Sequence, residues 1–194
     1  MNDFKSPAAW ETSYLNHNND WVFMISDAEK NQLSTLIKNV YEKDRNLFDY
    51  SPSEFDFGSS WNTIAKALSE ALHGRGLAIV KGVPREDLSH EEFRLLSWAI
   101  GLKAGVARPQ GMASQYIAAV RDIGTNYRAA NGRGYSSSAK LDFHVDGADL
   151  TTLTCYNKAK SGGQSMISSG VTARNYLVKE RPDLAEVASQ YFYF

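Results

Sequence analysis

The chain has 194 residues, of which 43% are hydrophobic and 22% charged, and its 21 basic and 22 acidic residues leave a net charge of -1. That composition belongs to a folded domain rather than a disordered chain. The near-zero charge gives no electrostatic footprint for nucleic acid or for an anionic membrane surface. The one cysteine, Cys155, excludes an internal disulfide framework and clustered-thiolate zinc sites. The first residues carry neither the basic nor the apolar region of a signal peptide, and no apolar run is long enough to span a bilayer, so a cytoplasmic location is expected.

In chain order, residues 1–20 are polar and aromatic without a period and read as an irregular entry segment, followed by a short strand at 21–25. Ser26 and Glu29 form a capping box. The helix they open carries Leu33, Leu36, Ile37, Val40 and Tyr41 on one face, at the spacing of an amphipathic helix. A second helix over 60–73 is expected to bury Trp61, Ile64, Ala65, Leu68 and Leu72, and Gly74 and Gly76 stop it. Residues 76–82 form an apolar run between glycines and predict a buried strand. Ser89 with Glu92 repeats the capping box and opens a helix through Phe93, Leu96 and Ile100, expected to end at Gly101.

Beyond residue 115 the pattern predicts strands at 116–121, 141–144, 150–156 and 164–168, then a helix capped by Thr172 and a further turn started by Pro182. Helices first and strands after suggest an α+β fold built on an antiparallel sheet. Cys155, inside an apolar strand, is expected to be a buried inert thiol. The four tryptophans, Trp10, Trp21, Trp61 and Trp98, are expected in the core or half buried.

Of the four histidines, His17, His73, His90 and His144, the last has a suggestive setting, in the stretch Leu-Asp-Phe-His-Val-Asp-Gly-Ala-Asp over 141–149. Residues two apart in an extended chain point the same way, so His144 and Asp146 can share one face. An imidazole and a carboxylate together make two-thirds of the 2-His-1-carboxylate face of non-haem iron(II). A plain turn is the alternative, with His144 packed at a strand end and Asp146-Gly147 making the bend.

Three blocks in order resemble the taurine dioxygenase-like (TauD/TfdA) superfamily of iron(II)- and 2-oxoglutarate-dependent oxygenases. They are Gly74 through Pro84, Leu141 through Leu150, and Ser161-Gly162-Gly163-Gln164-Ser165. The resemblance covers roughly residues 60–192. It implies a double-stranded β-helix (jelly-roll) core after the N-terminal helices, within an α+β fold. It divides the chain into an N-terminal irregular segment and helix over 1–57 and a partial oxygenase domain over 58–194. By this resemblance His144 and Asp146 match the proximal iron ligands, and Ser165 matches a hydroxyl donor to the 2-oxoglutarate carboxylate. Without the family, Ser165 reads as a strand-edge serine on a tight Gly162-Gly163 turn. Gln110 and Tyr135 fall where relatives line the mouth of the active site. The stretch 126–139, rich in Gly, Ser, Ala and Asn, reads as a lid or as a plain exposed loop.

The resemblance also implies a second histidine and then an arginine downstream. No histidine follows His144, and Arg174 and Arg181, the arginines after Ser165, fall in a predicted helical segment. The expectation is therefore an oxygenase domain incomplete at its C-terminal end. The cofactors implied are Fe(II), with 2-oxoglutarate and O2 as co-substrates. The implied partners are a small-molecule substrate and either a homo-oligomer or a complementing chain, with no nucleic acid and no membrane. The alternative is a non-catalytic remnant or subunit acting as a protein-interaction module through an exposed strand edge.

Overall fold

The computed structural model describes residues 3–109, 115–126 and 134–192. The chain divides into two compact units, one of Met1–Gln32, Phe57–Val83 and Met166–Phe194, the other of Leu33–Asp56 and Pro84–Ser165.

The first unit is organised by a parallel strand pair, β1 (Val22–Met24) and β2 (Ile79–Lys81), in the register Val22↔Ile79, Phe23↔Val80, Met24↔Lys81. Parallel strands need a crossover rather than a hairpin. Helices α2 (Asp27–Val40) and α3 (Ser60–His73) lie in that connection, and α3 packs on both strands. The ladder is prolonged by Ile79 N–H donating to the Trp21 carbonyl at 2.9 Å and Ile25 N–H to the Lys81 carbonyl at 2.8 Å. Gly82 follows at φ 88°, and a Cβ there would stand 2.6 Å from the Ile25 carbonyl, so both the dihedral and the close approach require glycine.

The capping box of α2 forms as its sequence predicts. Ser26 N–H donates to Glu29 Oε2 at 2.8 Å, and Glu29 N–H donates to Ser26 Oγ at 3.3 Å. The same Glu29 accepts from Thr63 Oγ1 at 2.9 Å, tying the start of α2 to α3. These hydrogen bonds, the one from the Ser26 backbone foremost, hold the Glu29 carboxyl below its usual pKa.

A short helix α1 (Thr12–His17) and the segment before it are held by side chains. Trp10 Nε1 donates to the Arg75 carbonyl at 2.9 Å. The Arg75 guanidinium reaches Glu70 at 2.5 Å and Tyr14 Oη at 2.7 Å, and also pairs with Asp20. Helix α5 (Gly170–Glu180) is fastened to the same segment. Ser169 Oγ donates to the Ala8 carbonyl, Thr172 Oγ1 to the Trp10 carbonyl at 2.7 Å, and Tyr176 Oη to Glu11 at 2.8 Å. Asn175 brackets Phe4, accepting from its N–H at 2.8 Å and donating to its carbonyl at 3.0 Å. Helix α6 (Pro182–Ala188), opened by its proline, packs on α5.

In the second unit, α4 (His90–Ala104) supplies the apolar centre, with Phe93, Leu95, Leu96, Trp98 and Ala99 buried. Its capping box is also formed, Ser89 N–H to Glu92 Oε2 at 2.7 Å and Glu92 N–H to Ser89 Oγ at 3.3 Å. Trp98, Phe48 and Tyr116 meet edge-on or tilted, with centroids 5.2 to 6.2 Å apart. The irregular stretch between α2 and α3 is ordered by Arg45. Its two Nη atoms bind both oxygens of Glu54 at 2.7 and 3.0 Å, and its guanidinium lies 4.0 Å above the Tyr50 ring.

Several sequence expectations change. Helix α4 runs past Gly101 to Ala104 before stopping at Gly105. The cap of α5 is Ser169, whose Oγ accepts from Thr172 N–H at 2.9 Å, so Thr172 lies inside the first turn. Leu72 stays 41% exposed while Ala67 is buried, turning the packed face of α3. The run at 76–82 contributes only Ile79–Lys81 to a ladder, parallel rather than antiparallel and with Ile79 exposed. Among the described residues, 116–121, 141–144, 150–156 and 164–168 pair in no ladder. Among the described residues the sheet is therefore the β1–β2 pair, and helix predominates. Cys155 is exposed, since the strand meant to bury it has no neighbour. No described helix is long and apolar enough to cross a membrane.

Two outcomes follow for stability. Leu96→Ala, at a fully buried position, is expected to cost about 2–5 kcal/mol, read as a lower urea midpoint with little change in slope. Glu54 has its pKa lowered, first by the Arg45 hydrogen bond and then by the Ser51 backbone. Its stabilising contribution is thus present above the unfolded carboxylate pKa of about 4.3 and lost as pH falls through the lower folded value. Glu54→Gln should lower the urea midpoint at neutral pH and flatten its decline between about pH 5 and pH 3. An unchanged acid limb would show that Arg45–Glu54 contributes nothing.

Candidate metal centre

The stretch 141–149 alternates apolar and polar residues as a strand would, with Leu141, Phe143 and Val145 on one set of positions and Asp142, His144 and Asp146 on the other. Among the described residues, no backbone–backbone hydrogen bond involves any residue of 138–168. The apolar set is consequently open to water, Phe143 at 68% and Val145 at 93% exposure.

The polar set is drawn together. His144 Nδ1 lies 2.7 Å from the Asp142 carbonyl oxygen. A carbonyl only accepts, so in this contact Nδ1–H is the donor, and Nε2 is the nitrogen turned away from the backbone that can ligate a metal. That second nitrogen faces Asp146, with Nε2 to Oδ1 at 3.8 Å. Both side chains are more than half exposed, at 58% and 55%. The donor chemistry fits an iron(II) ion: an imidazole nitrogen oriented by a backbone carbonyl, beside a carboxylate oxygen. No group of three His, Cys, Asp or Glu side chains placed to hold a metal occurs among the described residues. The pair therefore offers two of the three donors that a 2-His-1-carboxylate face needs.

Ser165 lies on exposed chain after the Gly162-Gly163 turn, whose two glycines have φ of 72° and 73°. Such left-handed dihedrals are what the Gly-Gly pair is for, in agreement with its reading as a bend. No described hydrogen bond joins Ser165 to His144 or Asp146. Tyr135 is half buried, and its carbonyl accepts from Arg121 N–H at 3.0 Å. Thr125 Oγ1 donates to the next carbonyl, that of Ser136, at 2.7 Å. Gln110 lies outside the described residues, as does 127–133 of the glycine- and serine-rich stretch.

One cluster on the same run of chain has no counterpart in the sequence reading. Arg85 Nε donates to the Tyr156 carbonyl at 2.6 Å, and its Nη2 to Asn157 Oδ1 at 3.2 Å. The guanidinium carbon sits 3.5 Å from the Tyr156 ring centroid. The same ring meets His90 edge-on at 4.9 Å and Phe93 at 5.5 Å, both in the first turn of α4. The only available signals were an arginine after a strand-ending proline and a tyrosine ending an apolar run. Neither names the other across so many residues.

The profile described as "Taurine catabolism dioxygenase TauD, TfdA family" matches residues 43–194. The chain belongs to this family. It is also similar to FR-33289 synthase of Streptomyces rubellomurinus (strain ATCC 31215), 24% identical over 178 residues that make up 91% of this chain and 52% of that protein. The chain thus spans about half the length of the curated relative it matches. The family match takes in all three sequence blocks from Gly74 to Ser165, including the His144–Asp146 pair.

Proposed function

We propose that the chain forms part of an iron(II)/2-oxoglutarate-dependent dioxygenase that oxidises a small molecule in specialised-metabolite biosynthesis. The observation that carries this reading is the pairing of His144 Nε2 with Asp146 Oδ1 at 3.8 Å, with the imidazole proton directed to the Asp142 carbonyl. Membership of the family, and a relative named as the synthase of a particular compound, support the biosynthetic setting. The cytoplasm is the compartment that suits this chemistry.

In this reading His144 and Asp146 are metal ligands. Bound iron(II), with 2-oxoglutarate and O2, would supply the oxidation of a C–H bond, leading to hydroxylation, desaturation or ring formation. The chain's own residues set the geometry. The Asp142 carbonyl orients the His144 ring through Nδ1–H, which leaves Nε2 as the ligating nitrogen. Asp146 brings a negative charge that offsets part of the cation's charge. Ser165, a small hydroxyl on a turn, donates to a carboxylate of 2-oxoglutarate. The strand-patterned stretches at 116–121, 141–144, 150–156 and 164–168 belong to a double-stranded β-helix within an oxygenase domain over 58–194. In this reading the third ligand and a cation for the far carboxylate lie outside these residues, in further polypeptide of the same protein, in a second copy or in a complementing chain.

Anaerobic titration of the full chain with Fe(II) and 2-oxoglutarate tests this directly. His144→Ala and Asp146→Ala should each weaken Fe(II) binding at least about tenfold. Ser165→Ala should weaken 2-oxoglutarate binding by about fivefold, the worth of one ordinary hydrogen bond, while leaving Fe(II) affinity in place. Unchanged Fe(II) affinity in His144→Ala would overturn the proposal.

A further inference from the structure

Asp146 and Ser165 stand on either side of Tyr156 along one run of chain, and that run has no ladder to fix it. Among the described residues, the hydrogen bonds that tie 139–168 to distant parts of the second unit are those of Arg85, to the Tyr156 carbonyl and to Asn157. We propose that Arg85 is a positioning residue for the His144–Asp146 pair and Ser165, acting through Tyr156.

The geometry explains why an arginine suits the task. Its planar group makes two in-plane hydrogen bonds while one face stacks on an aromatic ring, which an ammonium cannot do. Here the in-plane bonds fix the backbone at 156 and the side chain at 157, and the stacked face fixes the rotation of the tyrosine ring. The ring's remaining contacts are with His90 and Phe93, and Phe93 is 4% exposed in the packed side of α4. The ring contacts hold Tyr156 to a packed helix, and Arg85 fixes its backbone, its ring face and Asn157, so together they anchor the middle of an otherwise unladdered run. Fixing the middle shortens each free span, so the ends bearing the metal pair and Ser165 explore a smaller volume. No described contact of the Tyr156 hydroxyl is part of this arrangement.

The inference rests on the metal reading above, and Co(II), a spectroscopically visible substitute for iron(II), separates the two. Titrating the full chain with Co(II), followed by its visible absorption, reports both affinity and ligand geometry. Arg85→Ala should weaken Co(II) about tenfold or more, as loss of an outer support does at metal sites, and alter the spectrum at saturation. Amide exchange in α4 should be unchanged, which shows that the packed helix is kept. Arg85→Lys should stay close to Arg85→Ala, and Tyr156→Phe close to wild type. If Arg85→Ala fails to fold, Tyr156→Leu, which removes the stacked ring, carries the same expectation. Loss of Co(II) binding in His144→Ala together with wild-type affinity and spectrum in Arg85→Ala would overturn the positioning role and leave the metal pair standing. Wild-type Co(II) binding in His144→Ala would overturn both. Full recovery in Arg85→Lys would overturn the stacked geometry in favour of charge alone.

Discussion

A guanidinium that binds in its plane and stacks on its face is the interaction on which the irregular parts of this chain depend. Arg75 gathers Glu70, Asp20 and Tyr14 and, through its own carbonyl, Trp10. Arg45 forks onto Glu54 above the Tyr50 ring. Arg85 does the same to Tyr156 and Asn157. Arg45 and Arg85 each fix a stretch without helix or ladder, and Arg75 fixes the short helix α1 and the segments flanking it, in each case through donors that are rigidly spaced. Exposed ion pairs are worth little by themselves. These arginines differ because each combines several hydrogen bonds with a ring contact, so few rotamers satisfy all of them at once.

The helices were legible in the sequence because their determinants are local. Ser26 with Glu29 and Ser89 with Glu92 place both partners of a cap within one turn, and both boxes form. The strands at 22–24 and 79–81 were legible as strands, but their parallel pairing was not, because a strand pattern carries no record of its neighbour. The same physics accounts for 116–121, 141–144, 150–156 and 164–168. Alternation says which face would be buried if a partner strand supplied the backbone hydrogen bonds. It cannot say that the partner is present, and Phe143, Val145 and Leu153 remain open to water.

At the candidate site the legible part was again the short-range part. His144 and Asp146 lie two residues apart, and an extended backbone turns both to one side whether or not a sheet forms around it. What the spacing could not carry was the Asp142 carbonyl contact that orients the imidazole ring, a matter of local dihedrals. Nor could it carry Arg85, whose partners are distant in sequence and chosen by packing. Ser165 and the glycines before it show the limit from the other side. The turn is explained by positive φ at Gly162 and Gly163, and that geometry by itself assigns the serine no role.

The exposure of the pair bears on what an oxygenase site would require. An imidazole and a carboxylate more than half open to solvent sit in high dielectric, where water competes for a metal and screens the carboxylate charge. A two-ligand site of that kind holds a metal weakly, and a reactive centre there would not be shielded from water. The exposed apolar set on the opposite positions of the same run has the complementary need, a surface to cover it. Both needs are met by one event, the pairing of this run with further strands, which satisfies its backbone and buries its apolar face. On the proposed reading, strand pairing and completion of the metal face are therefore coupled. On the same reading the Arg85–Tyr156 contact would lower the cost of that step by holding the middle of the run in place beforehand.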